Sequence, residues 1–242
     1  MDTVAFALIM SSNSIILTEN DINNFYSSKN SLSKVIYERL VSMLMNSELS
    51  PGLLLSRQQL ARELGVSVAP VLEALIQLEL DGFVESIPKK GTIIKAVSKK
   101  NFYERFVLRE ALECAAARIY RGQLIRENKK ELLSFAQRID RGELYSLPRI
   151  KDDIVFHASL VNLTRLPVLT REFLKATRIG IFCMQNLAGF TDLNKIQNHP
   201  ELVEKLATDD PDTAEKAIRE HIWGGDPSGN PSGDPAPNSC YS

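Results

Sequence analysis

Cysteine is scarce in this sequence, and the spacing of the few cysteines excludes two kinds of site. The 242 residues contain three, Cys114, Cys183 and Cys240, which lie far apart in the chain. An odd and dispersed set does not indicate a disulfide framework, and without a CxxC pair a zinc site made of thiolates has no support. We therefore expect a protein of the reducing cytoplasm.

An excess of one charge and long apolar runs are also missing. Lys and Arg total 29 and Asp and Glu total 30, so the net charge of −1 provides no general attraction to nucleic acid. Residues 4–10 are apolar but too few to cross a bilayer, and they follow Asp2 instead of a basic flank. We expect neither a membrane helix nor a signal peptide. Any binding of nucleic acid would have to rest on local charge and motif.

What is present suffices for folded domains between two irregular ends. The chain is 44% hydrophobic and 24% charged, which allows a buried core. Residues 1–30 are predicted to be a loose extension, and the Gly-, Pro- and Ser-rich residues 224–242 a disordered tail. Residues 31–97 contain three helical patterns and then two strand-like runs, whereas residues 98–223 contain helical patterns alone. The predicted fold class is mainly α: a winged helix-turn-helix of three helices plus a small β-hairpin wing, followed by an all-α helical bundle.

The order of elements in residues 31–97 is typical of a DNA-binding winged helix-turn-helix. A capping Ser56 opens the second helix, Gly65 closes it, and Ser67 opens the third helix, which has the width of the major groove. The wing is predicted to turn at Lys89 and Lys90, whose charges suit the phosphate backbone. Residues 29–100 hold ten basic and seven acidic residues, a small local surplus of +3. Helix-turn-helix units also serve as protein-interaction modules, so the pattern alone leaves both uses open.

The second block contains the three histidines of the chain, His157, His199 and His221. Asp153 precedes His157 by four residues, which places a carboxylate and an imidazole side by side on one helix face. His221 continues the apolar stripe of its helix, and His199 stands at a predicted helix start. Three imidazoles and a carboxylate suit Zn²⁺, and also Mn²⁺, Ni²⁺ or Fe²⁺. Spacing alone does not show convergence, because a histidine on an apolar face is often a hydrogen-bonded core residue.

Residues 51–96 resemble the DNA-binding domain of the GntR family of regulators. The resemblance is carried by LARELGVS, by PV and EAL in the next helix, and by DGFVE and KGT in the wing. It implies sequence-specific binding of double-stranded DNA. The residues predicted to form the DNA-binding surface are Arg57, Arg62, Ser67, Val68, Ala69, Lys89, Lys90 and Gly91.

The recognition helix departs from the family pattern. The family has Arg and Thr after the capping Ser and Arg before Glu-Ala-Leu, but this chain has Val68, Ala69 and Leu72. We expect the basic residues of the second helix and the wing to supply more of the contact, and Val68 and Ala69 to contact thymine methyl groups.

Residues 101–223 resemble the FCD domain, the helical effector domain of the FadR branch of the same family. The matching pieces are LREALECAAARIY, DIVFHASL and the run from His199 to residue 222. The resemblance implies a divalent metal bound by Asp153, His157, His199 and His221. It also implies a small carboxylic acid as effector, with Arg109 as a candidate partner for that acid. An ion pair between Arg109 and Glu113 on the helix surface is the alternative use of that arginine.

Together these features predict a regulator, most often a repressor in this family, that binds a palindromic operator as a homodimer and is not an enzyme. Binding of the effector would shift the population of two arrangements of the DNA-reading domains. Two alternatives remain from the sequence. One is a metalloenzyme that uses the Asp/His site, and the other is a degenerate regulator that acts through protein contacts.

Overall fold

A computed structural model describes residues 15–18, 21–22, 31–143, 146–187 and 198–223. In residues 31–143, 146–187 and 198–223 the regular elements are nine helices and one small sheet. In order they are α1 (Leu32–Met45), β1 (Leu54–Leu55), α2 (Arg57–Leu64), α3 (Val68–Asp81), β2 (Val84–Ile87), β3 (Gly91–Ile94), α4 (Lys99–Glu127), α5 (Lys129–Arg141), α6 (Leu147–Asn162), α7 (Pro167–Asn186), α8 (His199–Leu206) and α9 (Pro211–Ile222).

The first three helices begin at serines that occupy N-cap positions. The hydroxyl of Ser31 accepts a hydrogen bond from the backbone N–H of Lys34, and that of Ser56 accepts one from Gln59. Gly65 ends α2 in the left-handed conformation, with φ 66°. Ser67 precedes α3 as predicted, but its hydroxyl makes no cap hydrogen bond. The start of α3 therefore lacks the side-chain cap that the sequence suggested.

The wing contains one strand more than the predicted hairpin. Strands β2 and β3 are antiparallel, and β1 pairs with the other edge of β3, so the sheet order is β1-β3-β2. The two-residue β1 lies directly before Ser56 and is too short to give an alternating pattern. At the wing tip Lys89 has φ 64° and Gly91 has φ 122°, and the turn between β2 and β3 uses both left-handed positions.

The described residues form two compact units, and the predicted winged helix lies in the first, with residues 31–107 and 175–187. Its interior contains a buried carboxylate, that of Asp81 at the end of α3. The Tyr37 hydroxyl donates to Asp81 Oδ2 at 2.6 Å, and the Lys175 ammonium lies 3.2 Å from Oδ1. The rings of Phe83 and Phe182 pack edge to face. The second half of α7 thus completes the core of this unit.

The second unit consists of residues 15–18, 21–22, 108–143, 146–174 and 198–223. Its helices begin in a similar way, because α6, α8 and α9 each carry a proline in the first turn, where no backbone N–H is needed. Helix α8 packs against both α5 and α9. The core is apolar, and its fully buried side chains include Leu132, Ile139, Phe156, Leu160, Phe173, Val203 and Leu206.

Helix α4 is interrupted near its C-terminal end. Arg121 has φ 53° and ψ 167°, which is not helical. The next residue, Gly122, lies directly against the backbone of Ala207 and Thr208, where an added Cβ would overlap the carbonyl group of Thr208. Glycine is required here because another part of the chain occupies the space of a side chain.

Part of the segment predicted to be a loose extension makes defined contacts with the second unit. Leu17 is buried, and its backbone N–H donates to the Ser159 hydroxyl at 2.9 Å. That hydroxyl donates in turn to the carbonyl of Val155 on α6. The prediction of a loose extension is therefore wrong for residues 15–18. Residues 1–14 and the predicted tail, 224–242, lie outside the described residues.

Within the described ranges, every helix is too short or too polar to cross a membrane.

Candidate metal centre and nucleic-acid interface

Three histidines from three helices meet inside the second unit. His157 lies in the middle of α6, His199 is the first residue of α8, and His221 lies near the end of α9. One ring nitrogen from each lies within 4.8 Å of the others. His157 and His199 are fully buried, and His221 is nearly so. These distances allow three imidazoles to bind one ion.

Asp153 lies at the same place, one helical turn before His157. Its Oδ1 is 3.0 Å from Nε2 of His199 and 3.8 Å from Nε2 of His157. The four residues singled out as ligands are therefore brought together, from positions up to 68 residues apart in the chain.

Two further carboxylates fix the orientation of the rings. Glu113 Oε2 lies 2.5 Å from Nδ1 of His157, and Asp140 Oδ1 lies 2.5 Å from Nδ1 of His199. Asp140 also accepts from the backbone N–H of His199. A carboxylate accepts hydrogen bonds, so both Nδ1 atoms act as donors. Nε2 of His157 is left without a hydrogen-bond partner among the described residues, whereas Nε2 of His199 faces Asp153.

Sequence reasoning did not assign Glu113 and Asp140 to the site. Glu113 was considered only as a partner of Arg109, and Asp140 lies at the end of α5 in no recognisable motif. The signal that could have found Glu113 is its position one turn from Arg109 in a segment that resembles the FCD domain. Nothing in the local sequence marks Asp140.

Two buried nitrogens in the cluster have no hydrogen-bond partner among the described residues, Nε2 of His157 and Nε2 of His221. A buried polar atom without a partner is destabilising by about 1–3 kcal/mol, and native proteins rarely keep one. The ring of His221 lies beside those of His157 and His199, and Nε2 of His157 lies 3.8 Å from Asp153 Oδ1. Donors of this kind fit a divalent metal of the zinc type, which takes imidazole and carboxylate ligands.

Arg109 lies beside the cluster on α4 and is itself buried. Its Nε donates to Glu113 Oε1 at 2.7 Å, and a terminal nitrogen lies 3.5 Å from Asp153 Oδ2. The ion pair with Glu113 is present, but it is buried, so the expectation of a surface pair is wrong. Arg109 bridges a carboxylate at the candidate metal position and the carboxylate behind His157.

The charge of Arg109 beside the cluster keeps Asp153 ionised. Burial opposes ionisation of Asp153, but the charge of Arg109, together with the neighbouring His157 and a hydrogen bond with His199, outweighs it and holds the pKa of Asp153 below its usual range. Burial and the neighbouring imidazoles lower the pKa of His221 well below its usual value, so this ring is neutral. For His199 burial acts downward, yet hydrogen bonds to carboxylates raise the pKa.

The first unit carries the predicted DNA-reading residues on its surface. Arg57 and Arg62 are exposed on α2, as are Val68 and Ala69 in the first turn of α3. Ser67 is exposed at the N-terminus of α3 with its hydroxyl not used as a cap. The remaining predicted residues form the exposed wing tip, Lys89, Lys90 and Gly91.

Comparisons with known proteins agree with this architecture in both units. Residues 32–94 match the model of "Bacterial regulatory proteins, gntR family", and residues 104–223 match that of the FCD domain. The chain belongs to the GntR family of bacterial regulators. It is 29% identical over 206 residues to an uncharacterised HTH-type transcriptional regulator in an unstable DNA locus of Streptomyces ambofaciens, a match that covers 77% of this chain and 80% of that protein.

A second relative of this GntR regulator is the HTH-type transcriptional repressor RspR of Escherichia coli (strain K12). The two are 26% identical, and the match covers 79% of this chain and 86% of the relative. Among solved structures, E. coli McbR/YncC has the same fold, with a TM-score of 0.61 and 22% identity over 81% of this chain and 95% of that one.

Membership of the family decides between two of the predicted functions. GntR proteins with an FCD domain are DNA-binding regulators of transcription and not enzymes. The metalloenzyme alternative is therefore wrong. FCD domains often bind metals, and the histidine cluster found here is consistent with that property.

Proposed function

We propose that this GntR regulator is a repressor whose helical unit holds a divalent metal and uses it to sense a small carboxylic acid. The metal would be held by Asp153, His157, His199 and His221, with Zn²⁺ as the first choice and Mn²⁺, Ni²⁺ or Fe²⁺ as alternatives. Repression is inferred from the likeness to RspR, which is named as a repressor.

The observation that carries the proposal is the pair of partnerless buried nitrogens on His157 and His221. A cluster of histidines that served only to pack the core would use both ring nitrogens of each histidine in hydrogen bonds. Here the Nδ1 atoms of His157 and His199 are hydrogen-bonded to carboxylates, Nε2 of His199 faces the proposed ligand Asp153, and Nε2 of His157 and of His221 have no partner among the described residues. This is the arrangement of imidazoles that bind a metal through Nε2.

A bound metal supplies Lewis acidity and open coordination positions to which a carboxylate can bind. The protein's own groups prepare the site for it. Arg109 holds Asp153 from one side, and its charge keeps that carboxyl group ionised. Glu113 and Asp140 fix the rings of His157 and His199.

The DNA-reading half would act as one member of a homodimer on a palindromic operator, because two-fold protein symmetry matches two half-sites. The effector would bind one arrangement of the dimer better and so change the population that fits the operator. A cytoplasmic location belongs to the same proposal, because a regulator shares a compartment with its DNA.

Metal analysis and calorimetric titration of the full chain test whether the helical unit binds a metal. After chelation and dialysis, we expect one equivalent of Zn²⁺ to bind per chain and to raise the melting temperature. Asp153→Asn weakens this binding strongly, whereas the control Asp152→Asn, on the neighbouring residue paired with Arg138, leaves it unchanged. Equal zinc affinity in the two variants contradicts the proposed ligand set.

A screen for the effector then tests the role of the metal. Small hydroxy-, keto- and dicarboxylic acids are added to the zinc-loaded and the chelated protein, and thermal shift is measured. We expect at least one acid to stabilise the zinc-loaded protein and not the chelated one. Equal shifts with and without zinc would show that the acid does not bind through the metal.

A further inference from the structure

The exposed face of the recognition helix α3 is mainly apolar, where a helix that reads DNA usually carries polar groups. Val68, Leu72 and Ile76 are spaced four residues apart, so they form one row along the helix. They are 39%, 40% and 47% exposed, and Ala69 beside them is exposed as well. Helix α3 contains no Lys or Arg, which excludes guanine reading by a charged side chain from this helix.

Helix α3 has three acidic residues, of which Glu73 is exposed beside the apolar row, whereas Glu79 and Asp81 are engaged by other groups of the protein. Both oxygens of Glu79 accept hydrogen bonds from Ser86, one from the backbone N–H and one from the hydroxyl, each at 2.7 Å. Asp81 is buried against the Tyr37 hydroxyl and the Lys175 ammonium. The groups that α3 offers to a partner are therefore mainly methyl and methylene groups.

Exposed cations precede and follow the apolar row in the sequence. Arg57 and Arg62 lie on the preceding helix, and Lys89 and Lys90 lie at the wing tip, all exposed. A polyanion suits such flanks better than an uncharged partner. A single row on one helix is also far smaller than the roughly 800 Å² per partner of a specific protein interface.

We propose that Val68, Ala69, Leu72 and Ile76 recognise the C5-methyl groups of thymine. Each operator half-site is therefore rich in A·T base pairs. In the major groove the thymine methyl is the one apolar group on a base edge, and apolar side chains recognise it by contact. Phosphate contacts by the flanking cations position the helix but carry no sequence information. This inference rests on the DNA binding of the proposed function and names what that surface recognises.

The test starts from duplexes selected by the full chain from a library with 20 random base pairs. We expect the enriched half-sites to contain clustered A·T pairs. Each thymine in the best duplex is then replaced by deoxyuridine, which removes the methyl group and nothing else. Binding weakens about fourfold at each contacted thymine, the ratio expected for the burial of one methyl group, and is unchanged at thymines outside the half-sites.

Variants of α3 test whether the apolar row causes the preference for thymine over deoxyuridine. Val68→Ala and Leu72→Ala reduce the ratio of thymine to deoxyuridine affinity towards one. Leu80→Ala is the matched control, because Leu80 continues the same spacing and is 66% exposed, but it lies at the far end of the helix from Val68 and Leu72. Lys89→Asn, which keeps a residue tolerant of positive φ, weakens binding to every duplex and lowers the salt dependence without changing that ratio.

Three results would overturn the inference. If selected duplexes bind equally with thymine and deoxyuridine, the DNA-binding function stands but the methyl readout does not. If no sequence is enriched even at low salt, the DNA-reading half of the proposed function fails with it. If Leu72→Lys and Ile76→Lys turn a dimer into a monomer while DNA affinity is kept, a second copy of the chain covers the row.

Discussion

Nδ1 of His157 lies 2.5 Å from Oε2 of Glu113 inside the helical unit, and the two side chains are almost completely buried. Burial opposes the charge on Glu113, but His157 and Arg109 outweigh it and lower the pKa of this carboxyl group. The glutamate is therefore ionised and accepts a hydrogen bond from Nδ1–H of His157, which leaves Nε2 of His157 on the side of the ring away from Glu113. A residue that does not face the candidate metal position thus controls one that does.

The first prediction concerns the hydrogen bond between His157 and Glu113. Glu113→Gln keeps the shape of the side chain but removes the charge that holds the ring, so zinc affinity falls by about 10- to 100-fold. The far-ultraviolet circular dichroism stays that of the wild type. The measurement is a competition titration with a zinc chelator of known affinity.

Glu104→Gln is the control for Glu113→Gln, because Glu104 is an exposed acid on the same helix α4. It leaves zinc affinity unchanged. Wild-type zinc affinity in Glu113→Gln would show that the hydrogen bond to His157 does not support metal binding.

The second prediction separates stability from metal binding. His221→Leu removes a buried nitrogen that has no partner among the described residues, so the metal-free variant is as stable as the wild type or more stable, by about 1–3 kcal/mol. The same variant loses the stabilisation that zinc gives the wild type. Urea unfolding with and without zinc measures both effects.

A metal-free His221→Leu protein that is several kcal/mol less stable than the wild type contradicts this view of the nitrogen. Such a result would mean that His221 is a satisfied core residue. Persistent stabilisation by zinc would mean that the other residues bind the metal without it.

The third prediction compares two glycines. Gly122→Ala places a Cβ against the backbone of Thr208, and since backbone cannot rotate away, we expect a destabilisation of about 1–3 kcal/mol. Gly180 lies within α7, where the nearest atom to an added Cβ is Arg105 Cβ at 3.9 Å. Gly180→Ala therefore stabilises the protein by about 0.5–1 kcal/mol through helix propensity.

Thermal unfolding of the two glycine variants provides the comparison. Equal melting temperatures for Gly122→Ala and Gly180→Ala would show that the loop at Thr208 moves away easily.

The fourth prediction concerns the N-terminal segment. Leu17→Ala removes a buried side chain and lowers the free energy of unfolding by about 2 kcal/mol, the lower end of the range for leucine truncation. The neighbouring Ile16 is more exposed, so Ile16→Ala has a smaller effect. Chemical denaturation measures the free energy of unfolding of both variants. An equal loss in the two would contradict a specific packing of Leu17 in the core.

Local signals predicted much of the fold. The helix start at Ser56, the helix end at Gly65 and the turn at the wing tip each depend on only a few neighbouring residues. The structure has all three at the predicted positions. Strand β1 escaped prediction because two residues give no period. The docking of Leu17 on Ser159 also escaped, because it depends on a contact between residues 142 positions apart.

In the candidate site, too, local sequence predicts some contacts, whereas others depend on packing between distant parts of the chain. Asp153 and His157 are one helical turn apart, so their proximity follows from helix geometry alone. The approach of His199 and His221 was suggested by the family resemblance and not by spacing. Asp140 is placed by the packing of α5 against α8, which no local pattern reports.

The carboxylate of Asp81 has a consequence for anyone who wishes to dissect this protein. A fragment that stops at residue 97 carries Asp81 and the ring of Phe83 but lacks Lys175 and Phe182, their partners from α7. Such a fragment would leave an acid group without its cation and an aromatic edge in water. Chimeras that exchange the DNA-reading head between regulators should therefore bring residues 175–187 along with it, although the two pieces are far apart in the gene.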